Sequence, residues 1–442
     1  KDFCSLVPTR DYNKIKHYIF RAQKQEKNIL WPGQIKWFAK SSGTTQNKSK
    51  FIPITDASLK KCHFAAGKDM LAIYLNNNPN SQILNGKSLS IGGSTNINKL
   101  NSYYSGDLSA ILIQNLPFWA QLKRVPSMQT ALIDDWEQKI HQIIKETSNQ
   151  NIISISGVPS WTLIIINKLI KKMNVKYLTD IWPNLELYMH GGISFDNYRD
   201  SFKNYINNKK INYLELYNAS EGFFGIQNDP NKSDLLLLVN HGVFYEFIPI
   251  KNGIEDDDSI ISLSEVKLNT IYAMAITTNG GLWRYKIGDT IKFTCLDPYK
   301  IIITGRVQSF INAFGEELNV DNADKAIQYA CKETNSIITE YTAAPLFYND
   351  KSGCHEWIME FKKEPEDINK FNLLFDNKIK QLNSDYEAKR SKDILLKKPI
   401  IHVTKVNFFY NILKEKKKIG GQNKIRRLYN DRKFIEDLIK KI

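Results

Sequence analysis

At 442 residues, 42% hydrophobic and 24% charged, the chain is too long for one small core and has the make-up of a soluble protein of two or three domains. Its formal net charge is +15, and Lys397 to Ile442 carries 14 Lys or Arg against four Asp or Glu; without the aromatic–basic alternation that grips single strands, this tail reads better as biased composition than as a nucleic-acid-binding segment, which stays as an outside alternative. Five scattered cysteines, Cys4, Cys62, Cys295, Cys331 and Cys354, argue against a disulfide framework or zinc site and for a reducing, cytoplasmic setting.

The chain opens on Lys1, so a trimmed start is expected. Ile35 to Ala39 and Phe51 to Ile54 read as strands flanking a Ser/Gly/Thr loop. Ile152 to Ile155 reads as a strand. Ser160 is then expected to cap a helix that runs to about Met173. The apolar stretch Ile152 to Ile170 is broken by Pro159, Asn167 and Lys168, so no membrane span is expected. Leu185 to Met189 and Ile211 to Tyr217 are further strands, with a helix near Asn197 to Ile206 between them. This βαβαβ rhythm predicts a mostly parallel, helix-covered sheet.

From Leu235 the pattern turns β-rich. Leu235 to Val239 and Val243 to Ile248 are expected to pair as a hairpin across Asn240-His241-Gly242. Ile271 to Thr277, Leu282 to Lys286, Thr290 to Thr294 and Lys300 to Thr304 read as short strands of a barrel-like section. A smaller α+β unit follows. It has helices near Val320 to Glu333, Glu366 to Leu382 and Phe408 to Lys417, and strands near Ile337 to Leu346, Glu356 to Phe361 and Ile400 to Val406. The expected domains are 1–306 and 307–442, both of ordinary domain type.

Four short segments carry chemistry. In Lys40-Ser41-Ser42-Gly43-Thr44-Thr45, hydroxyls surround a glycine that lets backbone N–H groups approach an anion. Lys48 and Lys50 add positive charge. A Walker loop is excluded, because Asn47 stands where its second glycine belongs and a strand follows. Tyr217-Asn218-Ala219-Ser220-Glu221-Gly222 follows a strand, where ligands of parallel sheets sit. There Glu221 suits Mg²⁺ and Tyr217 suits a base. In Gly288-Asp289 the acid suits ribose hydroxyls. Lys424 follows the glycine pair Gly420-Gly421. Each segment alone also reads as a plain turn or a solvated charge.

Their order and separation, with His190-Gly191-Gly192-Ile193-Ser194-Phe195, Thr277-Thr278-Asn279-Gly280-Gly281-Leu282-Trp283-Arg284-Tyr285 and Gly305-Arg306, resemble the adenylate-forming superfamily. More narrowly they resemble the auxin-responsive (Gretchen Hagen) acyl-acid amido synthetases, in a bacterial form. The resemblance implies that Ser41, Ser42, Gly43, Thr44 and Thr45 hold the ATP phosphates. Gly191 and Gly192 would lie along the adenine, with Tyr217 and Ser220 near the nucleotide. Glu221 would bind Mg²⁺, Asp289 and Arg306 the ribose, and Lys424 would bridge the carboxylate and the α-phosphate. It also implies that the C-terminal unit is a lid hinged at Gly305 to Ser309, and that the family's early residues are absent. The chain departs from the family pattern at Gln308, where members often carry Lys. The activity implied is adenylation of a small carboxylic acid, then transfer to an amine such as an amino acid, without nucleic acid or membrane. An acyl-CoA ligase and a non-catalytic nucleotide-binding homologue are the alternatives.

Overall fold

The computed structural model describes residues 2–41, 50–92, 97–100, 103–133, 135–192, 195–206, 211–251, 254–256, 259–307, 310–311, 313–314, 316, 318–348, 352–390, 396–415 and 425–442. The chain is mixed α/β, with a large N-terminal part and a smaller C-terminal one. A 13-stranded sheet dominates the first part. On one side of it, Arg124–Val125, Lys87–Ser90, Ile152–Ser156, Leu187–Gly191 and Asn212–Ala219 run parallel in that spatial order. The expected βαβαβ rhythm is therefore present. Its helix Pro159–Met173 starts on Val158 with Pro159 in the first turn, and ends on Asn174 in the left-handed region at φ 51°. Val158 caps it without a side-chain bond, so the expected Ser160 cap is corrected. A proline in the first turn already has the helical φ and lacks only an N–H that would be orphaned anyway.

Beyond Asn212–Ala219 the sheet turns antiparallel. Gly222–Ile226, Leu235–Leu237, Tyr299–Arg306, Tyr285–Leu296, Ile271–Thr278 and Val243–Lys251 follow in space. Two expectations fail here. Leu235–Leu237 does not pair with Val243–Lys251; it lies between Gly222–Ile226 and Tyr299–Arg306, while Val243–Lys251 pairs with Ile271–Thr278. Gly242, at φ 70°, does turn the chain, but its carbonyl accepts from Asn279 N (2.9 Å) and steers the chain toward the later strand. The β-rich section is also not a separate barrel. It extends the parallel sheet edge to edge, and no pairing among the described residues closes it.

A small four-stranded sheet carries the ends of the hydroxyl-rich loop. Trp37–Ser41 and Lys50–Ile54 pair antiparallel with Ser41 opposite Lys50. This sheet is tied to the large one: Thr55 Oγ1 donates to Asn279 O (2.6 Å), and Asn279 Nδ2 donates to Ala57 O (3.2 Å). One apolar core joins the two sheets, and a second packs Trp161, Ile165, Ile166 and Leu169 of the 159–173 helix against Ile155 and Tyr188. The C-terminal part has its own core around Phe371, Phe375, Trp357 and Ile327. It is a three-stranded sheet of Ile337–Phe347, Gly353–Lys363 and Ile400–Thr404, covered by helices Val320–Glu333 and Ile368–Leu382. No helix among the described residues is long and apolar enough to cross a membrane.

Candidate active site

The carboxyl ends of the parallel strands meet the start of the antiparallel ones at Gly191, Tyr217 and Glu221, the kind of crevice where α/β sheets bind ligands. Gly191 is there because its neighbour comes too close for any side chain: a Cβ would stand 2.3 Å from Leu216 O. Gly192 follows at φ 82°, a conformation that glycine adopts without steric cost. The strip of bare backbone so produced is flanked by His190, which is buried, stacked on Phe195 (4.1 Å between centroids) and driven down to about 3 by burial with Arg199 adding to it. His190 is thus a neutral spacer and not a base.

Asp289 lies in the long strand Tyr285–Leu296. The partner strand matches Ala273 to Thr290 and Ala275 to Lys286, so Ile287, Gly288 and Asp289 bulge out of the ladder. Gly288 takes φ 84° to allow it. Asp289 is therefore raised on a bulge inside one strand and not on a turn between two. The opposite residue across the next strand is Arg306. Arg306 Nε donates to Asp289 Oδ1 (2.7 Å) and Tyr217 Oη donates to Asp289 Oδ2 (2.6 Å). A carboxylate has about four acceptor positions, so these two bonds orient Asp289 and leave room for two more donors. Arg306 keeps 39% of its side chain exposed, and Asp289 holds its pKa above the ordinary guanidinium value.

Tyr217 is 6% exposed, with its ring edge-on to Phe224 (5.0 Å). It offers the site a hydroxyl on Asp289, not an open ring face. Ser220 is also buried beside it in sequence, at 7% exposure. Glu221 makes no ion pair among the described residues, and burial raises its pKa against the pull of Arg306. Lys50 faces the same group of charges. Its pKa is lowered by burial and supported by Glu221, and its ammonium sits 5.7 Å from the Tyr12 ring centroid.

Both Asp289 oxygens are engaged by side chains, whereas Glu221 is held by its own backbone N–H and by the charges of Arg306 and Lys50. Mg²⁺ takes one or two protein carboxylates and fills its remaining positions with phosphate and water. A half-buried carboxylate at the carboxyl ends of these strands, with no ion pair among the described residues, fits that demand.

Of the expected site residues, Gly191, Gly192, Tyr217, Ser220, Glu221, Asp289 and Arg306 gather at this crevice. Ser41 ends the strand that pairs with Lys50. Ser42, Gly43, Thr44, Thr45, Lys48, Gly420, Gly421 and Lys424 lie outside the described residues, as do Gln308 and Ser309 of the expected hinge. Sequence reasoning missed three groups. Lys50 was weighed only as loop charge; its place across from Ser41 was the available signal. Tyr285 is fully buried and its hydroxyl has no hydrogen-bond partner among the described residues; it shares the cluster with Glu221 and Arg306. His63, buried and lowered to about 4, lies against Asn218 of the Tyr217–Gly222 segment. Nothing local in the sequence marks the last two.

The chain matches the models of the GH3 family N-terminal domain over residues 1–211, the GH3 family central domain over 236–306 and the GH3 family C-terminal domain over 321–433. It is 25% identical over 357 residues to a jasmonoyl–L-amino acid synthetase of Nicotiana attenuata, covering 66% of this chain and 60% of that protein. It is 27% identical over 257 residues to a putative indole-3-acetic acid-amido synthetase of Arabidopsis thaliana, covering 51% and 41%. The alignments thus span less than two thirds of these curated relatives. Among solved structures, a GH3.15 acyl acid amido synthetase superposes with a TM-score of 0.82 at 16% identity, covering 100% of this chain and 88% of that one. A 2-hydroxyisobutyryl-CoA ligase in the postadenylation state superposes with a TM-score of 0.58 at 11% identity, covering 100% and 83%. At these identities the structures show a shared fold.

Proposed function

Because the chain belongs to the GH3 family, we propose that it is an ATP-dependent acyl-acid amido synthetase: it adenylates a small carboxylic acid and transfers the acyl group to an amine, an amino acid by analogy with its relatives. The observation that carries this reading is the Tyr217–Asp289–Arg306 bridge beside Glu221, at the carboxyl ends of the parallel strands. The same reading puts the work in the cytoplasm and divides the chain at residue 306, with the C-terminal part as the moving lid.

The first half-reaction is in-line attack of the carboxylate on the α-phosphate, with pyrophosphate leaving. Negative charge crowds that step, so fixed cations and donors govern its rate. Donors of residues 41–45 hold the phosphates, Asp289 and Arg306 fix the ribose, and Lys424 aligns the nucleophile. Mg²⁺ on Glu221 would neutralise the phosphate oxygens. Pyrophosphate exchange over a panel of carboxylic acids, followed by AMP release with amino acids or with CoA, tests the assignment. Exchange with no acid would overturn it, and CoA-dependent release would move it to the acyl-CoA ligases.

Two variants test the site. Asp289→Ala removes the ribose acceptor and leaves Arg306 unpaired. Hydrogen bonds to a charged group contribute about 1.5–3 kcal/mol, so ATP should bind roughly 10–100-fold more weakly by calorimetry. An unchanged dissociation constant would remove Asp289 from the ribose site. Glu221→Gln should abolish most exchange yet raise the melting temperature of the ligand-free protein near neutral pH. The sign follows from the raised folded pKa. Below the unfolded glutamate value both states are protonated and the wild type carries no penalty; as pH rises through the folded value, stability is lost. The advantage of glutamine should therefore fade in acid, and a gap independent of pH would refute the burial argument.

A further inference from the structure

The outer strand Arg124–Val125 lies parallel to Lys87–Ser90. The register sets Arg124 beside Ser88 and Ser88 beside Ser154. Two residues nearer the carboxyl ends it sets Ser90 beside Ser156. Ser154 Oγ donates to Ser88 Oγ (2.9 Å) and Ser156 Oγ to Ser90 Oγ (3.3 Å), so the four hydroxyls share one face. The opposite face is apolar, with Leu89, Ile155 and Val125 in or against the second core. Hydroxyls in neighbouring interior strands would ordinarily be covered, yet Ser88, Ser90 and Ser156 all keep partial exposure. Their face therefore lines an opening. That opening starts near the nucleotide crevice, since Ser156 is matched to Met189, two residues before Gly191.

By register Arg124 stands at the far end of this row, beside Ser88. Its Nε and Nη1 are inaccessible to solvent and have no acceptor among the described residues. The nearest acid, Glu146, is occupied by Ser127 and Thr130, and burial lowers the pKa of Arg124 in spite of it. Neighbouring Lys87 is spent on Leu122 O (2.5 Å). Burying donors without acceptors costs about 1–3 kcal/mol each. A guanidinium presents its N–H groups as a fork that matches a carboxylate. Between the Ser90–Ser156 level and the Arg124 level the strands advance by about 6.6 Å, at roughly 3.3 Å per residue.

We propose that this row is the acyl pocket's polar floor and that Arg124 receives a second acidic group of the acyl substrate, so that the acid adenylated is a dicarboxylate with its carboxyl groups separated by several bonds. The serine hydroxyls hydrogen-bond the polar path between the reacting carboxylate and the distal one. This rests on the synthetase reading for the reaction at the near end only.

The test compares matched acids: adipate with hexanoate, and 4-carboxyphenylacetate with 4-methylphenylacetate. Pyrophosphate exchange gives kcat/KM, and calorimetry gives diacid affinity without turnover. A site built to hydrogen-bond a group rejects the analogue lacking it strongly, so wild type should favour the diacids by at least about tenfold. Arg124→Met should collapse that ratio, and Arg124→Lys, which keeps charge but loses the fork, should reduce it. If R124M does not fold, R124K alone decides. A wild-type ratio near one, or a ratio unchanged in the variants, overturns the subsite, leaves water on the orphan donors and spares the synthetase reading. Arg124-dependent diacid binding with no exchange for any acid does the opposite. Neither binding nor exchange overturns both.

Discussion

Lys424→Ala is expected to slow acyl-adenylate formation by about 10²–10³-fold, the range seen when one preorganised electrostatic contact to a developing charge is removed. The carboxylate nucleophile and the α-phosphate are both anionic, and they must approach within van der Waals distance in line. At such separations like charges repel by several kcal/mol unless a cation lies between them. The residues gathered at the crevice already supply an Arg306–Asp289 pair and a Glu221 suited to Mg²⁺, which the proposed reading gives to the ribose and the phosphates. Lys50 stands in the same group of charges beside Glu221, and in the proposed reading the lid lysine is the cation that serves the reacting carboxylate. ATP affinity should stay within a few-fold, since its other contacts are untouched; the loss should fall on kcat. Pyrophosphate exchange and an ATP dissociation constant measured on the same preparation decide it. Near-wild-type exchange would remove Lys424 from the mechanism.

The parts of this molecule that sequence reasoning read well are those governed by nearest neighbours. Helix Val320–Glu333 was bounded to the residue because its buried positions Ala323, Ala326, Ile327 and Ala330 repeat at helical spacing behind an Asn319 cap. The expected strands Ile152 to Ile155 and Leu185 to Met189 were legible as short apolar runs before Gly, and are found at Ile152–Ser156 and, two residues later, at Leu187–Gly191. What failed depended on partners far away in the chain. Asn240-His241-Gly242 carries a hairpin signal, but Val243–Lys251 finds a better seven-residue match in Ile271–Thr278, and no local rule sees that competitor. Gly288-Asp289 looks like a turn from its composition; only the offset between Ala273 and Ala275 opposite reveals a bulge. The same limit hid Tyr285 and His63, whose neighbours (Tyr12, Glu221 and Arg306 for the first, Asn218 for the second) are far away in the chain. The motifs themselves remained readable because each needs a glycine or an acid at one backbone position, as Gly191 against Leu216 O illustrates.

The site also depends on a structural device lying outside every motif residue assigned to the nucleotide. Arg284, at φ 42°, is nearly buried against Glu246. Its Nε donates to Glu246 Oε2 (2.8 Å) and its Nη2 to Glu246 Oε1 (2.7 Å), while Nη1 donates to Cys4 O (2.5 Å) and Val7 O (2.6 Å). One guanidinium thus holds the first helical turn of the chain onto the sheet. Next to it Arg10 bridges Tyr285: Arg10 N donates to Arg284 O (3.0 Å) and Lys286 N to Arg10 O (2.9 Å). That strand leads directly into the Gly288–Asp289 bulge. Arg284→Met should therefore cost about 3–5 kcal/mol, because it strands the Glu246 carboxylate in the core. Thermal unfolding should show the loss, and early proteolytic cleavage within residues 2–10 should accompany it. The double variant Arg284→Met with Glu246→Leu should recover much of the stability, since no uncompensated charge remains. It should not restore resistance to proteolysis, because Cys4 O and Val7 O still lack their donor. Equal stability losses in the single and double variants would mean that packing, and not the buried charge, holds the N-terminal segment in place.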